Sequence, residues 1–257
     1  MPAVSFVLSL EQNKENEMRF FALTDLGLVR KNNEDSLLAR DSEVGPVPNL
    51  FIVADGMGGH VGGEYASAFV VSKIPELLEK RDKAEPIADA MLFVTDRTNK
   101  ALCQISRNDK RLHGMGSTLV MTAVCDGEAH VINVGDSRLY RFDGTLQQIT
   151  RDHSLVDEMV AKGKLTKEDP FYASNKNIIT RAMGITASVE ADYFCVPAEP
   201  GNRLLLCSDG LSGMVSDEQI EAVLKETEET AEAAGRLMQM AKDNGGADNI
   251  SIILIDL

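Results

Sequence analysis

The sequence predicts an α+β fold built on a mainly antiparallel sheet. Short runs rich in Val, Ile and Leu recur along the chain, many of them bounded by Gly, Asp or Asn. Two Asp-Gly pairs stand between neighbouring runs, and long helical blocks are inserted between groups of strands.

The β-like runs are Phe20 to Thr24, Leu50 to Ala54, Ser117 to Cys125, Ala129 to Val134, Arg138 to Phe142, Arg203 to Cys207 and Ile250 to Ile255. Asp126-Gly127 and Asp143-Gly144 tolerate the positive φ of a tight turn and mark hairpins. Gly63 to Lys80 has apolar residues at helical spacing, and Pro75 is expected to kink or end that helix. Ile87 to Ile105 is a second helical block. Ser216 and Gln219 have capping-box spacing ahead of Ile220, Val223 and Leu224. Ala231, Ala234, Leu237, Met238 and Ala241 continue one apolar face, which Gly245-Gly246 can terminate.

The segment from Arg151 to Gly184 differs. It mixes a short helix with Lys162-Gly163-Lys164, Asp169-Pro170 and Asn175 to Asn177, the composition of a functional or mobile insertion. No repeat, low-complexity tract or Pro/Gly/Ser linker divides the chain. Residues 1–257 therefore read as a single domain with a flap-like insertion at about 151–184.

An apolar share of 44% over 257 residues is enough for one substantial core. Lys plus Arg number 26 against 40 Asp plus Glu, a formal charge of −14. That field repels nucleic acid and anionic membrane and argues against either as a partner. Most of these charges read as solvated surface; a clustered minority could hold cations. Cys103, Cys125, Cys195 and Cys207 form no C-x-x-C pair and lack zinc-finger spacing, as free thiols in a reducing compartment would. Met1 to Leu10 is mildly apolar without a basic leader or small-residue cleavage site. The acidic stretch Glu11 to Glu17 follows it, with only Lys14 as counterweight, a poor signal peptide. No run approaches the roughly 18 apolar residues of a membrane span. The expected compartment is the cytoplasm.

Acidic residues recur beside the β-like runs. Glu34 and Asp35 follow Arg30-Lys31-Asn32-Asn33, and Asp55 opens Asp-Gly-Met-Gly-Gly-His after Phe51 to Ala54. Asp209 opens Asp-Gly-Leu after Leu204 to Ser208, and Asp248 precedes Ile250 to Ile255. A single Asp-Gly is usually just a turn. Carboxylates at the ends of several core strands are harder to dismiss, because converging oxygens suit hard cations such as Mg²⁺ or Mn²⁺.

With these pieces in order, the chain resembles the metal-dependent type 2C (PPM) protein serine/threonine phosphatases, especially their compact bacterial branch. The matching segments are Arg30 to Asp35, Asp55 to His60, Gly114 to Thr118, Val134 to Arg138, Thr150 to Ser154, Thr180 to Gly184, Ser208 to Leu211 and Asp248-Asn249. The resemblance implies two packed antiparallel sheets flanked by helix pairs, an α-β-β-α sandwich. It implies two divalent cations, Mn²⁺ or Mg²⁺, bridged by Asp55. The Gly56 carbonyl and Glu34 would serve one of them, and Asp209 and Asp248 the other. Asp136, in Gly135-Asp136-Ser137, either shapes a turn or joins Asp209 at a third, weaker cation. Asp35 would orient Arg30 or ligand waters.

Arg30 offers a planar fork for two phosphate oxygens. His60 reads either as a structural hydrogen-bonding residue or as a proton donor. Met57 stands where many eukaryotic relatives have a histidine, so leaving-group protonation would fall to a metal-bound water or to His60. Asp152 and His153 read as structural parts of the insertion, His130 as an ordinary strand residue and His113 as a loop residue.

The implied activity is hydrolysis of phosphoserine and phosphothreonine monoesters on proteins, opposing a serine/threonine kinase. Rival phosphatase chemistries lack their signatures. Cys103 has Arg107 four residues on, not the six a cysteine-dependent phosphate loop needs, and Asp25 lacks the second Asp of an aspartyl-phosphate motif. The segment Gly56 to Gly63 lacks the Gly-Lys-Ser/Thr of a nucleotide loop. The alternative is a non-catalytic or single-partner regulatory module on the same fold; its non-catalytic form would be expected to lack one of Asp55, Asp209 or Asp248.

Overall fold

The computed structural model describes residues 6–8, 18–166 and 168–257, without the side chains at 6–8, 59, 60 and 173. Most of Met1 to Leu10 and all of Glu11 to Glu17 lie outside the described residues.

In chain order the elements are β1 (Phe6–Leu8), β2 (Arg19–Asp25), β3 (Asp35–Arg40), β4 (Leu50–Met57), α1 (Gly59–Leu78) and α2 (Ile87–Asn108). Then come β5 (Gly116–Ser117), β6 (Leu119–Cys125), β7 (Glu128–Val134), β8 (Arg138–Phe142), β9 (Leu146–Gln148), α3 (Leu155–Ala161) and α4 (Pro170–Asn175). The chain closes with β10 (Asp192–Pro197), β11 (Arg203–Cys207), α5 (Asp209–Ser212), α6 (Asp217–Glu226), α7 (Thr230–Asp243) and β12 (Ile250–Asp256).

One sheet has the order β1-β2-β12-β11-β8-β9; the other runs β10-β7-β6-β4-β3, with β5 on β4. Every pairing between these strands is antiparallel. The sheets pack face to face through Phe20, Ala22, Leu204, Leu206, Ile253 and Ile255 against Phe51, Val53, Val120 and Val131. Helices α1 and α2 cover the outer face of the second sheet, where Val70, Ile74, Met91 and Val94 meet Ile52, Met121 and Ile132. Helices α6 and α7 cover the first, where Ile220, Ala234 and Leu237 meet Ile250, Ile252 and Leu254. The α-β-β-α sandwich is borne out.

This layering explains the sequence of β12. Ile253 and Ile255 face the opposite sheet while Ile250, Ile252 and Leu254 face helices, so both faces are buried and Ile252 to Ile255 read as an unbroken apolar run. Each such side chain contributes about 1.5–3 kcal/mol when fully buried.

The Asp126-Gly127 turn has φ of 53° and 78°, and it joins β6 to β7 with Cys125 opposite Glu128. The Ser216 hydroxyl and Gln219 side chain form the reciprocal cap of α6. Several expectations are corrected. Pro75 does not stop α1, which runs on to Leu78 because proline disrupts only the turn before it. The helix starts at Gly59 rather than Gly63, so the Asp55 to His60 segment is strand end and first helical turn. The run Ser117 to Cys125 breaks at Thr118, and the C-terminal apolar face belongs to two helices. Strands β3, β9 and β10 escaped the reading because they are short or only half-buried and lack long apolar runs.

Antiparallel order decides where the carboxylates go. The ends of β2, β4, β7 and β11 and the starts of β3 and β12 lie at one end of the sandwich. Glu34, Asp55, Asp136, Asp209 and Asp248 sit at or beside these strand ends.

Candidate metal centre

Asp55 is held by its backbone. Its N–H donates to the Thr118 hydroxyl at 2.8 Å, and its carbonyl accepts from the Thr118 N–H at 2.8 Å. The same hydroxyl lies 2.7 Å from the Ser137 hydroxyl, which ties β4 to the Gly135-Asp136-Ser137 loop. The break between β5 and β6 at Thr118 thus fixes two carboxylates at once. Next along β4, the Gly56 N–H donates to the Glu34 carbonyl at 3.1 Å. Gly63 in α1 leaves room beside this pair: a Cβ there would stand 2.7 Å from Glu34 Oε2 and 2.8 Å from the Gly56 carbonyl oxygen.

The other sheet supplies Asp209, first residue of α5, and Asp248, just before β12. Asn249 binds the segments together. Its side-chain oxygen accepts from the Glu34 N–H at 2.8 Å, and its amide donates to the carbonyls of Leu26 and Asn32, each at 3.0 Å. Its own N–H donates to Asp248 Oδ1 at 2.8 Å. Ser208 donates to Asp35 Oδ2 at 2.7 Å, a further bond between the sheets. Gly210 packs so closely that a Cβ would fall 1.9 Å from the Asn249 carbonyl oxygen.

Glu34, Asp55, Gly56, Asp209, Asp248 and Asn249 line one cavity of about 540 Å³. Its walls include Arg30, Glu34, Asp55, Gly56, Asp136, Asp209 and Asp248 from the core elements, with Asn177 and Ile179 from the insertion. Burial, and next Asp35 and Asp209, push Asp55 well above the usual carboxylate range. Burial and neighbouring carboxylates likewise raise Asp35 and Asp136 to about 7 and Asp209 to about 6. Asp35 Oδ1, Asp136 Oδ1 and Asp209 Oδ1 are buried with no hydrogen-bond partner among the described residues. Crowded, repelling carboxylates with unsatisfied oxygens fit a hard divalent cation: oxygen is the donor it prefers, and its charge relieves the repulsion.

Arg30 stands at the rim with its side chain 51% exposed, and its Nη2 donates to Asp248 Oδ2 at 2.6 Å. That bond raises its pKa further. Arg30 therefore pairs with Asp248, and Asp35 is engaged with Ser208, so Asp35 does not have the expected role of orienting Arg30. His60 occupies the first turn of α1, and its side chain lies outside the described residues. Asp152 accepts from Arg138 Nη2 at 2.7 Å and from Gln148 at 2.8 Å, a structural clamp on β8 and β9. His153 Nδ1 accepts from the Gly135 N–H at 3.1 Å, while Nε2 lies 3.3 Å from Asp192; burial lowers its pKa.

Sequence reasoning assigned no role to Thr118, Ser208 or Asn249. Each lies inside a segment that carried the resemblance, which was the available signal; the cross-sheet partner was not.

The protein phosphatase 2C family profile matches residues 29–244. A serine/threonine phosphatase, stp, of Listeria monocytogenes is 37% identical over 240 residues, covering 91% of this chain and 93% of its own. The crystal structure of the Mycobacterium tuberculosis serine/threonine phosphatase PstP/Ppp superposes with a TM-score of 0.82 at 36% identity, over 93% of this chain and 98% of that one. A PstP catalytic domain solved in complex with two manganese ions gives 0.79 at 37% identity, over 93% and 97%. The family profile, the sequence relatives and the fold agree, and the chain belongs to the protein phosphatase 2C family.

Proposed function

We propose that the protein hydrolyses phosphoserine and phosphothreonine monoesters on other proteins at a binuclear Mn²⁺ or Mg²⁺ centre. The observation that carries this is the single cavity into which strand ends of both sheets bring Glu34, Asp55, Asp209 and Asp248, with Arg30 at its rim. Asp55 and the Gly56 carbonyl would hold one cation with help from Glu34, and Asp55, Asp209 and Asp248 the other. Such a pair supplies a water of lowered pKa and charge to stabilise the phosphoryl group.

The chain's own part is binding and positioning. Arg30 exchanges Asp248 for two phosphate oxygens of the substrate, since its fork matches either. Arg30→Ala is expected to raise KM about tenfold to a hundredfold, the worth of a charged hydrogen bond of about 1.5–3 kcal/mol, and to leave Mn²⁺ affinity near native. Unchanged KM and kcat on a phosphothreonine peptide would return Arg30 to the surface. Met57 lines the cavity and has no proton to give. His60 is one proposed donor to the leaving alkoxide; His60→Ala with full activity on alkyl phosphoesters would remove it from that role.

Asp136 is proposed to hold a third, weaker cation with Asp209. So few protein oxygens leave most of the shell to water. Asp136→Ala should lower turnover while calorimetric Mn²⁺ titration still fills the two tighter sites. Full activity with an unchanged metal count would leave Asp136 as a turn residue.

We further propose one domain in which residues 151–184 act as a substrate-selecting flap. Support comes from Asn177 and Ile179 in the cavity wall and from the fastening of both ends. His153 N–H donates to the Gly135 carbonyl at 3.0 Å, and Met183 N–H to the Ser117 carbonyl at 2.8 Å. Exchanging this segment for that of a relative should change the ranking of phosphopeptides while Mn²⁺ affinity holds; an unchanged ranking would remove the role. A cytoplasmic setting, signalling and opposition to a protein kinase belong to the same proposal. No helix among the described residues is long and apolar enough to cross a membrane. Deleting the gene should raise phosphothreonine on cytoplasmic proteins, and unchanged levels would count against that setting.

A further inference from the structure

We propose that Glu128, His130 and Cys195 form a separate Zn²⁺ site on the outer face of the second sheet. One potential ligand atom from each lies within 4.8 Å of the others. The sheet register makes this grouping: Cys195 on β10 is the direct cross-strand partner of His130 on β7, and Glu128 is two residues before His130 on the same strand. The two-residue period of a strand puts all of them on one face. Farther along that face Ile132 and Val134 are sealed in the core beneath the helices, whereas His130 is half-buried and Glu128 and Cys195 are exposed. The donors are therefore reachable from solvent.

The donor set selects the ion. A thiolate, an imidazole and a carboxylate suit borderline-soft Zn²⁺ rather than the hard cations that an all-oxygen centre prefers. Three protein ligands leave a fourth tetrahedral position for water.

Tyr193 adds an independent observation. Its hydroxyl lies 2.8 Å from His130 Nδ1, with the two rings 6.2 Å apart at 33°. A ligating histidine is normally oriented by a partner on its other ring nitrogen, and with Nε2 on the metal Tyr193 would fill that place at Nδ1. Glu128 and Tyr193 also act on the Cys195 thiol. Burial and Glu128 raise the thiol pKa, so Zn²⁺ would displace the Cys195 proton to solvent on binding.

This site is distinct from the carboxylate cavity, whose lining includes none of the three residues. His130 lies four positions before Val134, the end of β7, about 13 Å at strand rise, and Asp136 comes two residues after that end. Its action is structural: it clips β10, the edge strand that follows the insertion, onto β7.

Cobalt titration of the full chain tests the proposal, because only a thiolate ligand gives sulfur-to-Co²⁺ charge-transfer absorption in the near ultraviolet. The native protein should develop that band as Co²⁺ is added, and Zn²⁺ should abolish it. Cys195→Ser should lose the band with phosphatase turnover unchanged, whereas Cys125→Ser, on the neighbouring strand, should keep it. Tyr193→Phe and Glu128→Gln should each weaken Zn²⁺ binding about tenfold or more. Absence of the band in the native protein, or a band of native intensity in Cys195→Ser, would overturn the site whether or not any variant folds poorly.

Discussion

Asp209→Asn is expected to keep the fold and to cut turnover of a phosphothreonine peptide by about a thousandfold, equivalent to about 4 kcal/mol of transition-state stabilisation. The carboxamide has the shape of the carboxylate, so α5 and its packing against Asn249 persist. What disappears is one negative charge in the cavity shared with Asp55, Asp136 and Asp248. Circular dichroism and phosphate release, measured together at limiting Mn²⁺, separate folding from function. Turnover near the native value would refute the binuclear reading. Asp248→Asn should lose as much and also weaken the anchor of Arg30, so its KM should shift where that of Asp209→Asn does not.

Chelated protein is expected to become less stable as pH rises from about 4 to about 7. Asp35 and Asp136 titrate near 7 and Asp209 near 6, against the ordinary 3.8. Below the ordinary value both folded and unfolded chains hold these protons, and the folded state bears no penalty. Between there and about 7 the folded chain keeps protons that the unfolded chain has released, so stability falls with rising pH. At about 1.4 kcal/mol per pH unit for one proton, a single such carboxyl costs the folded state about 4 kcal/mol by neutral pH. These carboxylates share their repulsion, so the total is several kcal/mol and not the sum. Mn²⁺ should abolish the slope at neutral pH. In chelator Asp209→Asn should be more stable than the native chain, because it removes one of the repelling charges. Urea unfolding at pH 5 and 7, with chelator and with Mn²⁺, checks all of this. A chelated protein more stable at pH 7 than at pH 5 would show that the carboxylates do not repel.

Much of the fold was legible because local signals agreed with the final packing. Asp126-Gly127 makes the expected turn, Ser216 and Gln219 make the expected cap, and β8 and β11 have the expected bounds. Where a strand is short or lies half-exposed, as Leu146–Gln148 and Asp192–Pro197 do, no apolar run announces it; neighbouring strands determine the pairing. Asp35 shows the same limit from the other side. Expected to orient Arg30 or ligand waters, it opens β3 directly opposite Asp55, where burial and a bond from Ser208 define it.

The sequence by itself determined the candidate metal-holding residues and, through the family resemblance, the sandwich that positions them. Acidic residues flanking apolar strands, in a specific order, are a one-dimensional pattern. Tertiary structure alone decided that Glu34, Asp55, Asp136, Asp209 and Asp248 share one cavity, that Arg30 rests on Asp248, and that Thr118 and Asn249 hold the parts in place. The physical reason is that these bonds join residues as many as 223 positions apart, 218 for Arg30 and Asp248 and 223 for Asn249 and Leu26. Strand register and sheet packing bring such residues together, and no local propensity encodes that distance.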